Sequence, residues 1–287
     1  MQKQSFFSAV LVCIIAATMF TACRKGVEGP GDGPLADFVA PRINATAQNS
    51  LATVQDMIYE VASTSPALNT VPGSLVIGQC PVVTVTPKTA ADSFPATLTI
   101  DFGTGCTWRG HNMSGKVVLE VSGKVSAGNA TMSGSFNQLS VDGNVLAGKI
   151  VVTTGAAGQS LRNMTFTFTE GKVITADGKT VMITNVVATR TQVEGQSTTV
   201  STGGLIAFQD DVFEISFSGN GTGSDGDAFT LSTPTVLRRS MTCRWIATGK
   251  VEIKSGLKTA SIDFGAGTCD DEATITVAGE VKVVKLP

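Results

Sequence analysis

Apolar and polar residues alternate along most of this 287-residue chain. From about Ser74 onward, short runs place an apolar side chain at every second position. Examples are "VVTVT" at 82–86, "TLTI" at 97–100, "KVVLEVSGKV" at 116–125 and "TFTFT" at 165–169. Others are "TVMITNVVATR" at 180–190, "VFEISFSG" at 212–219 and "ATITVAGEVKVV" at 273–284. A period of two marks strands with one buried and one solvated face. Asp142-Gly143, Asp177-Gly178 and Asp225-Gly226 lie between such runs and have the composition of tight hairpin turns. Five Gly-Lys pairs, at 115–116, 123–124, 148–149, 171–172 and 249–250, read as strand openings. There Gly supplies the turn, and Lys keeps sheet edges from pairing with other molecules.

One stretch departs from this period. Between Ile43 and Ser63, Leu51, Val54, Ile58 and Val61 fall at offsets of 0, 3, 7 and 10, a single helical stripe. Pro66 and Pro72-Gly73 stop it. The expected fold is therefore mainly β: antiparallel sheets, as a sandwich, roll or barrel-like body over 74–287. One N-terminal amphipathic helix over 43–65 packs its stripe on that body or plugs one end. No segment alternates helix with strand, which argues against a parallel α/β sheet.

The N-terminus changes the picture of where this body works. Lys3 precedes an apolar run from Phe6 to Phe20, of signal-peptide rather than spanning length. The run ends in Phe20-Thr21-Ala22-Cys23, which resembles a bacterial lipobox. Its Cys23 would be lipidated and become the first mature residue, with Phe20 in place of the usual Leu. Residues 1–22 read as signal peptide. Residues 23–42, beginning "CRKGVEGPGDGPLAD", read as the lipidated Cys and a Gly/Pro-rich tether. Arg24 rather than Asp follows the Cys, so the expected location is the outer membrane, on its periplasmic or cell-surface face. Loss of 22 residues takes the net charge from −2 to −3, because only Lys3 goes. With no basic patch, nucleic acid is not an expected partner.

A repeat supplies the clearest structural expectation. "TLTIDFGTGC" at 97–106 matches "TASIDFGAGTC" at 259–269. Cys80 lies 26 positions before Cys106, and Cys243 lies 26 before Cys269. In an oxidising compartment this predicts two disulfides, Cys80–Cys106 and Cys243–Cys269, stapling two equivalent units. Ile100 and Phe102, like Ile262 and Phe264, share one strand face and should be core. Asp101 and Asp263 face away, and capping of the turn's backbone amides is the job expected of them. Trp108 and Trp245 each follow a Cys by two positions and are expected to pack on the cystines.

Catalytic constellations are sparse. Asp-Phe-Gly is the tripeptide that holds Mg²⁺ in kinases, but no phosphate loop, strand Lys or His-Arg-Asp loop accompanies it. The one histidine, His111, stands in "WRGHNMSG", a polar loop with no partner in view. No zinc spacing, P-loop or dinucleotide fingerprint is present. The carboxylate pair Asp210-Asp211 and the run Asp270-Asp271-Glu272 are candidates for glycoside chemistry. Asp225 and Asp227 in a Gly-rich turn are a candidate calcium site. No catalytic residue, resident metal or cofactor is assigned.

"CRWIATGKVEI" at 243–253 and "IDFGAGTCDDEATITVAGEV" at 262–281 resemble the C-terminal signature of uncharacterised lipoproteins from Bacteroidetes-type bacteria. The earlier "IDFGTGC", "SGKVVLEVSGKV" and "QDDVFEISFSGNGTG" are similar to that group as well. The resemblance implies a secreted, cystine-stapled β protein and carries no activity. The expected function is a non-enzymatic, lipid-anchored envelope protein with a structural, adhesive or ligand-presenting role. It would be held at the membrane by its lipid and be open to envelope-protein or glycan partners. The alternative is a glycan-binding or glycan-processing surface lipoprotein.

Overall fold

Inward-facing apolar residues recur with such regularity that the strands after Cys80 assemble in chain order. The computed structural model describes residues 35–65, 67–68, 80–86, 94–199 and 204–287. One helix, α1 (Leu35–Thr64), precedes fourteen strands. These are β1 (Val82–Thr86), β2 (Ala96–Asp101), β3 (Cys106–Trp108), β4 (His111–Val121), β5 (Thr131–Val141), β6 (Asn144–Thr154) and β7 (Asn163–Ile174). They continue with β8 (Thr180–Glu194), β9 (Val212–Thr222), β10 (Ala228–Ser240), β11 (Thr248–Ser255), β12 (Lys258–Ala266), β13 (Glu272–Val277) and β14 (Glu280–Lys285). All belong to one antiparallel sheet in which neighbours in sequence are neighbours in space, except that β3 pairs only with β4. The alternation is plain in β7, where Met164, Phe166 and Phe168 are buried and Thr165, Thr167 and Thr169 are half-buried on the other face. Asp142-Gly143, Asp177-Gly178 and Asp225-Gly226 do lie in the β5–β6, β7–β8 and β9–β10 turns.

The Gly-Lys pairs require a correction. Gly115, Gly148 and Gly249 do not open strands; each sits inside one, at a break in register between Ser114 and Lys116, Ala147 and Lys149, and Thr248 and Lys250. Their φ angles are 78°, 117° and 103°. A Cβ on Gly115 would stand 2.1 Å from the Gln138 carbonyl oxygen, so no other residue fits. These are bulges, and bulges bend a sheet. Bending is what fourteen strands need if they are to cover a common interior.

That interior is occupied by α1. The helix begins at Leu35 rather than Ile43, so residues 35–42 belong to it and not to the tether. Pro41 lies inside it. Its missing N–H removes one bond to the Asp37 carbonyl, yet the turns around it persist because Phe38 and Ile43 are buried. Nor is α1 amphipathic in the expected sense. Leu51, Val54, Ile58 and Val61 are buried, but so are Gln48, Asn49, Ser50, Thr53, Gln55, Asp56 and Glu60 around the rest of the circumference. Side chains from β6, β8, β10 and the β3–β4 turn reach it from different sides. The sheet is thus rolled around the helix. Among the described residues β1 and β14 do not pair with each other, so the roll is open along one seam. On edge strand β14, Lys282 lies opposite buried Ile275 yet is exposed, a charge that discourages pairing by another chain at that seam.

Both predicted cystines are present, with Cα–Cα distances of 6.1 Å for Cys80–Cys106 and 5.7 Å for Cys243–Cys269. Ile100, Phe102, Ile262 and Phe264 are core. Asp101 and Asp263 each accept a hydrogen bond from the amide two residues on, Gly103 at 2.7 Å and Gly265 at 3.0 Å. The two surroundings differ in register. Val82, two residues after Cys80, faces Asp101, whereas Lys250, seven after Cys243, faces Asp263.

Candidate functional site

A helix carrying carboxylates can run through an apolar roll only if the wall supplies cations. Asp56 meets two. Arg190 on β8 donates through an Nη to Asp56 Oδ1 at 2.7 Å, and Arg239 on β10 places Nε 2.8 Å from Oδ2. Arg239 also donates to Asn49 Oδ1 at 3.2 Å and Thr53 Oγ1 at 3.1 Å. Residues 49, 53 and 56 share one helical face, so a single guanidinium reads two turns of α1. Arg190 lies 3.2 Å from the Phe213 ring centroid and 4.6 Å from that of Tyr59, so aromatic faces meet the charge that Asp56 does not. Burial lowers the pKa of both arginines, and Asp56 opposes that shift.

One turn further along, Glu60 pairs with Arg109 at the β3–β4 turn, and Arg109 also donates to the Met241 carbonyl at 3.0 Å. Arg109 has φ of 46° and precedes Gly110. Asn or Asp would suit that turn position better, and a left-handed non-glycine residue costs about 1 kcal/mol. Its reach to Glu60 accounts for an arginine there.

His111 is not alone in a polar loop. It is 1% exposed. Its Nδ1 lies 2.6 Å from Asp142 Oδ2, and its Nε2 faces an Nη of Arg239 at 3.5 Å. That geometry suits a neutral ring that donates from Nδ1 and accepts at Nε2. Burial pushes the Asp142 carboxyl up, but hydrogen bonds from His111 and the Asn112 amide outweigh it and hold the pKa below its ordinary value. Arg244 adds an ion pair to Asp142 at 3.2 Å. At the end of the row, Tyr59 donates to Asp211 Oδ2 at 2.9 Å and Gln192 donates to Oδ1 at 2.6 Å. Burial lifts the Asp211 carboxyl from 3.8 to about 6, with neighbouring Asp210 adding to the rise. Tyr59 is likewise raised by burial and by Asp211. Arg109, Arg190, Arg239 and Arg244 thus face Glu60, Asp56 and Asp142, while Asp211 is held by Tyr59 and Gln192. Among the described residues, the buried side-chain amides of Gln48 and Gln55 have no hydrogen-bond partner, nor do Nε and one Nη of Arg190 or Nε of Arg239 and Arg244.

Asp56 pairs with Arg190 and Arg239, and these three side chains and His111 are buried. Asp211→Asn tests the electrostatics. A carboxyl raised on folding stabilises the fold most below its ordinary pKa, and that contribution is lost as pH rises through about 6. The variant keeps one oxygen to accept from Gln192, its amide nitrogen can donate to the Tyr59 hydroxyl oxygen, and it cannot ionise. It should gain stability relative to the parent between pH 4 and pH 8, read as the difference between their urea midpoints.

The other sequence-derived candidates disperse. Asp210 is exposed and accepts from Thr198, whereas Asp211 is buried and accepts from Tyr59 and Gln192, so the two carboxylates have different partners. Asp271 and Glu272 share Lys285 at 2.6 and 2.9 Å, while Asp270 caps the Glu272 amide at 3.0 Å. Asp225 accepts from the Asp227 amide at 3.1 Å, as a turn cap does. Both line a pocket of about 80 Å³ with Ala40, Pro41, Asn44 and Lys258. Among the described residues no three His, Cys, Asp or Glu side chains are grouped as metal ligands. Trp108 is buried, whereas Trp245 is half-buried and donates to the Pro287 carbonyl at 3.1 Å. Cys23 lies outside the described residues. The fold defines a class, a mainly β protein whose single antiparallel sheet is rolled around a helix and stapled by two cystines. No protein-family model, curated protein or solved structure matches the chain.

Proposed function

We propose that this chain is a lipid-anchored envelope protein of structural, adhesive or ligand-presenting role, without catalytic turnover. What carries the reading is the interior. The space where a rolled sheet could hold a ligand is filled by α1, and the ionisable groups there neutralise one another. Two cystines are consistent with an oxidising compartment. The lipobox-like Thr21-Ala22-Cys23 supplies the anchor in this reading, and the outer membrane is the proposed site. The hairpins β1–β2 and β11–β12 are taken as two copies of one device, on their equal Cys spacing and equal Asp caps. Cells producing the full chain should incorporate labelled palmitate, and Cys23→Ser should abolish the label. A chain that remains unlabelled in a lipoprotein-processing host refutes the anchor. Hydrolysis of a glycan that is lost in Asp210→Asn would refute the non-enzymatic role and favour the glycan-processing alternative.

A further inference from the structure

The body has two ends, and they are chemically different. At one, α1 enters the roll: Arg42 donates to Asp177 in the β7–β8 turn at 2.6 Å. Ala40, Pro41 and Asn44 stand against Asp225 and Asp227 of the β9–β10 turn and Ser255 and Lys258 of the β11–β12 turn. At the other, beyond the C-terminal end of α1, the Leu68 carbonyl accepts from the Val125 amide in the β4–β5 connection. The entry rim carries an anomaly. The β11–β12 turn is Gly256-Leu257, and Leu257 is fully exposed at its tip. A two-residue hairpin loop has no need of an apolar side chain. Exposed Lys254 and Lys258 flank it. The ladder runs from exposed Met182 through Thr222 to Ala228, whose carbonyl accepts from Ser255, so Met182 stands on the same rim.

We propose that this rim rests on a phospholipid bilayer, with Leu257 inserted at its surface; the inference relies on anchoring at Cys23. Chain length supports that occupant. Cys23 and Leu35 are twelve positions apart, a span of at most about 40 Å. The thirty residues of α1 are about 45 Å long. An acylated Cys23 therefore keeps the entry rim near the bilayer, while the opposite end is a full helix length further away. A single leucine cannot hold a protein of this size at a membrane. Once the lipid fixes it there, the local concentration of bilayer is high, and a weak apolar contact suffices to set orientation. Lys254 is paired with Glu252 at 2.8 Å, so the rim contact is carried by Leu257.

The test places an indole at each end of the rolled body. Leu257→Trp and, as the far-end control, Ala127→Trp are bound to phosphatidylethanolamine–phosphatidylglycerol vesicles with brominated acyl chains. Trp108 and Trp245 contribute the same background to both. Quenching of the added emission should be roughly twofold or more stronger for Leu257→Trp. Equal quenching in the two variants, with the protein vesicle-bound, overturns the rim contact. Mass spectrometry of the N-terminal peptide reports separately on acylation. If Cys23 proves unacylated, coupling its thiol to a maleimide lipid restores attachment at the same residue. The rim is then judged independently of the anchor.

Discussion

Asp56→Ala should cost about 3–5 kcal/mol, because it strands two buried cations at once. Arg190 and Arg239 are 1% and 2% exposed and reach Asp56 from different strands. Neither has a second carboxylate within ion-pair distance among the described residues. Arg190 would keep its aromatic faces and Arg239 its contacts with Asn49 and Thr53. Neutral groups do not replace a counter-charge in a medium of low dielectric. The loss should appear as a fall in the urea midpoint. The compensated variant Asp56→Leu, Arg190→Met, Arg239→Met removes all three charges and should recover much of it, since a buried ionic triad is often no more stable than apolar residues of similar volume. If Asp56→Ala stays within about 0.5 kcal/mol of the parent, as an ordinary surface change does, the clamp does not hold the helix.

Why was this clamp hidden, when the strands around it were so legible? Period-two alternation needs only neighbours in sequence, and it placed β2, β4, β7, β8 and β9 without help. The cystines were legible because four cysteines at matched spacing leave few pairings. The helix was mistaken for amphipathic because its stripe of Leu51, Val54, Ile58 and Val61 is real, and nothing local says that the other faces are covered too. Burial of Asp56 and Glu60 depends on partners 49 to 183 residues away in Arg109, Arg190 and Arg239. The signal that could have found them lies in the strands. Arg190 follows Val181, Ile183, Val186 and Ala188 on the inward face of β8, and Arg239 follows Leu237 in the same phase of β10. An arginine in an inward register demands a carboxylate opposite, and an interior helix with two acidic residues is where to seek one. The Gly-Lys pairs misled for the opposite reason. Glycine before lysine suits a turn and a bulge equally well, and only register tells them apart.

The two cystines close loops of the same length and should still not be worth the same. Each spans 26 residues, for which chain entropy gives about 3.5 kcal/mol. That value applies in full only where the linked segments unfold with the whole molecule. Cys243 is buried in the β10–β11 connection, which also carries Met241, whose carbonyl holds Arg109, and buried Ile246. Its partner Cys269 precedes β13, which lies against α1. Cys243→Ala with Cys269→Ala should therefore lower the global urea midpoint by nearly the whole amount. Cys80 precedes β1, an edge strand of five residues that pairs only with β2, and Cys106 opens β3, which pairs only with β4. Such an edge can open while the roll persists. Cys80→Ala with Cys106→Ala should show as lost amide-exchange protection in β1 and β3, with a much smaller change in the midpoint. Equal global losses from the two double variants would mean that β1 unfolds only with the whole roll, and that the open seam is as firmly held as its centre.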